Sequence, residues 1–148
     1  MNIKLLFINI ILGTIILWSY YEYLGRIISK KISIDQLWAN IKGNQRNIYY
    51  ISILLTTISY LYLLYYLVFI NKNDKNYIEI STIIFLVGAF LWAPSLYYYF
   101  MHDINKIFIY LTLCVTSIGI ILLFIQIINK GNIFSKICIS ILLFHILI

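Results

Sequence analysis

With 148 residues, 63% of them hydrophobic and only 11% charged, the chain is far from the roughly half-apolar, quarter-charged make-up of a soluble domain. A soluble fold this short would expose a large surface, and here that surface would have to be Ile, Leu, Phe and Tyr, so lipid is the solvent the composition demands. The net charge of +6 is scattered over short polar segments between apolar runs and forms no continuous face, which argues against a nucleic-acid partner.

A hydrocarbon core of about 30 Å takes about 20 apolar residues in a helix. Taken in chain order, the first such run covers residues 3–23. Its Lys4 followed by Leu5 to Trp18 has the look of a signal peptide, but Ser19, Tyr20, Tyr21, Glu22 and Tyr23 offer no small-x-small cleavage site, so a retained span is expected. The stretch 24–48 is the longest polar one, with five bases against the single acid Asp35. Inside it Ser33 and Gln36 form a capping-box pair, Gly43 is placed to end a helix, and Ile34, Leu37, Trp38 and Ile41 fall on one stripe. This predicts a short amphipathic interfacial helix at about 34–42. Arg26, Lys30, Lys31, Trp38, Lys42 and Arg46 are then the candidates for contact with lipid headgroups or a partner. The bland alternative is that these bases only set topology.

Residues 49–70 form the second run and carry Ser52, Thr56, Ser59 and Tyr60 on one helical face. The third, 78–100, has Gly88, Ala89, Ala93 and Ser95 at spacings that permit close backbone approach. Its Pro94 frees the carbonyl of Phe90 and is expected to kink the helix or end its regular part. The fourth, 107–128, carries Thr112, Thr116 and Gly119. These small and hydroxyl residues are predicted to be helix-packing surface, and a Leu at Gly88 or Ala93 is expected to disrupt assembly. A fifth run, 133–148, is short and has Lys136 near its start, so it spans with strain, lies re-entrant or packs at the interface, a span being the reading favoured. The expected architecture is therefore an all-α polytopic membrane domain of four to five spans, residues 1–148 forming one unit.

Tyr and Trp cluster at the proposed span ends, as interfacial aromatics do: Trp18 to Tyr23, Tyr49 and Tyr50, and Trp92 with Tyr97 to Tyr99. One side of the layout holds Arg26, Lys30, Lys31, Lys42, Arg46 and Lys106, the other Lys4, Lys72, Lys75, Lys130 and Lys136. The first span has one base before it and five after it, which favours an outside N-terminus and a cytoplasmic 24–48 loop.

Motifs for chemistry are sparse. Cys114 and Cys138 lack CxxC spacing and sit in apolar runs; His145 has no second ligand at i+3 or i+4; no HExxH or phosphate-cradling glycine loop occurs. No catalytic residue, metal or cofactor is predicted. Glu22, His102 and Asp103 would be the only polar cluster available to a lipid-modifying enzyme. Glu22 and Glu79 are placed at helix ends within reach of water.

Trp38, Gly43, Arg46, Tyr49 and Ser52 form a W-x4-G-x2-R-x2-Y-x2-S pattern opening a Tyr-rich helix, in a chain rich in Ile, Asn, Lys and Tyr and poor in Ala. Over residues 38–52 and in general layout this resembles small, uncharacterised multi-span membrane proteins of large A+T-rich DNA viruses. The resemblance implies a virion or host-derived membrane and supplies no activity. The function expected first is a non-enzymatic membrane component that packs with itself or other membrane proteins and contacts lipid through its basic loop. A small oligomeric transporter or channel comes second, and a lipid-modifying enzyme last.

Overall fold

The structure is a computed structural model, and it describes residues 1–30, 44–71 and 75–147. Five helices make it up: α1 (Ile3–Ser29), α2 (Asn44–Tyr65, continued by a π-helical turn Tyr66–Ile70), α3 (Lys75–His102), α4 (Ile107–Lys130) and α5 (Ile133–Leu147). The first four are long and apolar enough to cross a bilayer, and the all-α polytopic architecture expected from the sequence is what the chain forms. Helices are the natural outcome of such runs, because lipid offers no partner for a free N–H or C=O.

Two boundaries differ from the sequence reading. α1 runs on past Tyr23 to Ser29, and α2 already starts at Asn44, so much of what was read as a polar loop over 24–48 is helical. The cause is local. Arg26 pairs with Glu22 one turn back, and Ser29 Oγ donates to the Arg26 carbonyl at 2.8 Å, so polar side chains prolong the helix beyond its apolar part. The interfacial helix expected at 34–42, and Lys31, Trp38, Lys42 and Gly43 with it, fall outside the described residues.

The remaining ends are capped as their residues suggest. Asn2 Oδ1 accepts from the Leu5 N–H at 3.1 Å and starts α1. Asp103, with φ of 49°, turns the chain out of α3 in a conformation that Asp tolerates better than most side chains. Between α4 and α5 there are only Gly131 and Asn132; a Cβ on Gly131 would lie 2.6 Å from the Ile127 carbonyl oxygen, and Asn132 Oδ1 caps α5 through the Ser135 N–H at 2.8 Å.

Packing follows the order α1, α3, α4, α5, α2, with the π turn of α2 returning to α1. α1 and α3 run parallel: Lys4 meets Glu79 at one end and Tyr23 stacks on Tyr97 at the other, ring centroids 5.4 Å apart. α3 and α4 are antiparallel, as are α2 and α5. Leu5, Leu63, Leu67, Ile120, Leu123, Ile127, Ile139 and Leu142 form the shared core. Around it Phe7, Ile11, Leu54, Ile58, Ile118 and Ile125 point outward and exposed, as lipid-facing side chains should.

Candidate functional site

Of the small-residue positions expected to pack, Gly88 and Gly119 stand where α3 meets α4. A Cβ on Gly88 would come within 2.6 Å of the Thr116 amide nitrogen, and one on Gly119 within 2.6 Å of the Phe85 Cα. Gly88 and Gly119 therefore let α3 and α4 meet backbone to backbone at two reciprocal points, a contact available only to glycine. Thr116 and Thr112 are buried beside this seam and return their hydroxyls to their own helix, Thr116 to the Thr112 carbonyl at 2.7 Å and Thr112 to the Ile109 carbonyl at 2.8 Å. Ala93 is fully buried, while Ala89 is partly exposed.

Pro94 does not end its helix, which continues to His102. The Phe90 carbonyl it deprives of a backbone partner accepts from Ser19 Oγ of α1 at 3.3 Å, and Ser19 is completely buried. A neighbouring hydroxyl thus resolves the cost of an intramembrane proline.

On the α2–α5 side, Ser52 Oγ lies 2.7 Å from His145 Nδ1, and Ser59 stands beside Cys138. His145, expected to be a satisfied rather than a metal-binding histidine, has this serine as its partner. Among the described residues no three His, Cys, Asp or Glu side chains gather into a metal-binding group.

Several polar residues that the sequence reading left out line the interior. Asn2 donates from Nδ2 to Glu79 Oε1 at 3.2 Å and from its backbone N–H to the Val68 carbonyl at 2.7 Å, tying α1, α2 and α3 together. Glu79 was expected at a water-accessible helix end; instead it is 5% exposed, held also by Lys4 Nζ at 2.6 Å, whose own side chain is largely in solvent. Two turns deeper Asn9 donates to the Leu5 carbonyl at 2.8 Å and accepts from the Tyr60 hydroxyl. Gln126 of α4 donates to Ser81 Oγ at 2.9 Å. Thr82 Oγ1, Thr56 Oγ1 and Gln126 Oε1 are buried without a hydrogen-bond partner among the described residues. Asn9, Tyr60 and Thr82 border a void of about 10 Å3 between the helices, otherwise walled by leucines and Ile127. That is about the size of a single water. An isolated Asn or Gln inside an apolar run is the sequence signal for Asn9 and Gln126.

The basic candidates that are described stand at one end of the bundle. Arg26 and Lys30 are exposed near the end of α1, Arg46 is half-buried in the first turn of α2, and Lys106 is exposed before α4. At the same end His102 rests its ring against Tyr97 and Tyr98, at 6.0 and 5.5 Å between centroids, while Asp103 is exposed and Glu22 is engaged by Arg26. The structure does not bring Glu22, His102 and Asp103 into one cluster around a reacting atom. Comparison with protein-family models, curated proteins and solved structures gave no match.

Proposed function

We propose that the chain is a non-enzymatic integral membrane component that packs with itself or other membrane proteins and meets lipid headgroups or a partner through its basic end. The observation that carries this reading is the filled interior: five helices line a void of only about 10 Å3, room for about one water. Among the described residues the interior is occupied by side chains where these helices meet, which leaves the outer apolar surface for interaction. Arg26, Lys30, Arg46 and Lys106 supply the charge for headgroup contact, each base being worth on the order of 1 kcal/mol at an anionic surface. An N-terminus outside and a cytoplasmic basic end accord with the distribution of bases about α1. The resemblance over residues 38–52 extends the proposal to a virion or host-derived membrane.

The test is purification in mild detergent from the native source, with mass spectrometry of what travels along. Stoichiometric protein partners or a defined homo-oligomer are expected; a lone monomer without partner would overturn the assembly claim. A second reading, a small oligomeric transporter or channel, is favoured by the string of buried polar groups from Glu79 through Thr82 and Asn9 to Gln126. It requires flux in liposomes that falls on Asn9→Leu or Gln126→Leu substitution. No flux of any ion or small polar solute would eliminate it.

A further inference from the structure

Lys136 is out of place for a topology-setting base. The contacts of Ser52 with His145 and of Ser59 with Cys138 fix the antiparallel register of α2 and α5, and in that register Lys136 lies beside Leu61. Leu61 is seven residues before Val68, whose carbonyl receives the Asn2 N–H at the start of α1. At a rise of 1.5 Å per residue, Lys136 therefore joins its helix about 10 Å inward of that end of the bundle. Its side chain is only partly exposed, and neither α2 nor α5 contains an Asp or Glu, so no counter-charge stands on either helix. A base at this depth with no acid on its own helix or on α2 is costly in hydrocarbon unless it reaches the interface or an anion reaches it.

The same residue heads an open groove of about 650 Å3 between α2 and α5, walled by Ile51, Leu55, Ile137, Ile141 and Phe144. From Lys136 to Phe144 the groove runs eight residues along α5, or about 12 Å, leading from the cationic position toward the middle of the bundle. One end is cationic and the rest apolar. We propose that this groove is a binding site for an anionic phospholipid, the Lys136 ammonium meeting the phosphate and one acyl chain lying between α2 and α5 toward Phe144. The inference deepens the lipid-contacting reading but locates the contact away from the basic end. Charge and groove together select the occupant: a zwitterionic lipid fills the groove but leaves the ammonium less compensated, and a soluble anion fills none of the apolar wall.

The experiment is native mass spectrometry of the whole chain, delipidated in mild detergent and titrated with phosphatidylglycerol or phosphatidylcholine. The wild type is expected to retain one phosphatidylglycerol in preference to phosphatidylcholine. Lys136→Met should reduce that preference about fivefold, and Lys136→Arg should keep it. Ser140→Trp, at an exposed groove position that leaves the charge in place, should weaken retention of both lipids. Equal retention of the two lipids by the wild type, or undiminished preference in Lys136→Met, overturns the site. Protein partners that still co-purify in that case leave the membrane-component reading standing, so the two failures are distinguishable.

Discussion

At the scale of single residues, the polar groups explain how an almost wholly apolar chain acquires one arrangement. Leu and Ile faces pack against each other in many registers with similar energy, whereas the Ser19 bond to the Phe90 carbonyl exists in only one. Ser19→Ala is expected to destabilise the bundle by about 0.6 kcal/mol, the typical value of an interhelical hydrogen bond in a membrane. In a Pro94→Ala background the same change should do less, because Phe90 then finds a partner in its own helix; a double-mutant cycle of unfolding in detergent or bilayer measures the difference. That Pro94 frees the Phe90 carbonyl was legible in the sequence, since it follows from one residue's covalent structure. That Ser19 is the donor was not, because the pairing of α1 with α3 is a tertiary fact that no local spacing encodes.

Between elements, the decisive contact is α3 with α4, where Gly88 and Gly119 admit the opposing backbones. The atoms a new Cβ would meet include main chain, which no rotamer change moves aside. Gly88→Ala and Gly119→Ala should each therefore cost about 1–3 kcal/mol, the usual range for overpacking, read as a loss of unfolding free energy. A Leu at Gly88 acts first on this internal seam, so loss of assembly in that variant would report a disturbed fold rather than a lost partner surface; Ala93, fully buried, is subject to the same reasoning. Spacing marks these residues as candidates for packing but does not say which helix they would meet. The ends of helices were less legible. Polar side chains at Glu22, Arg26 and Ser29 satisfy one another on a continuing helix, so the change from apolar to polar at Tyr23 marks the edge of the apolar stretch and not the end of the α-helix.

For the whole molecule, composition alone implied lipid as solvent, and the outward Phe, Ile and Leu side chains of the bundle accord with it. The interior was less predictable. Asn2, Asn9 and Glu79 are single polar residues on two helices, and only the assembled bundle makes their burial visible. The fold also separates the polar ends: Lys30 and Lys106 at one, Tyr77 and Lys130 at the other, with the apolar helices between. Single cysteines at these four positions, in a chain with Cys114 and Cys138 replaced by Ser and embedded in sealed, uniformly oriented vesicles, test the bilayer-crossing claim most directly. A membrane-impermeant maleimide added outside should label one pair, Lys30→Cys with Lys106→Cys or Tyr77→Cys with Lys130→Cys, and reach the other only after the vesicles are opened. Labelling of all four from one side of intact vesicles would contradict the crossing, and with it the account of the chain as a polytopic membrane component.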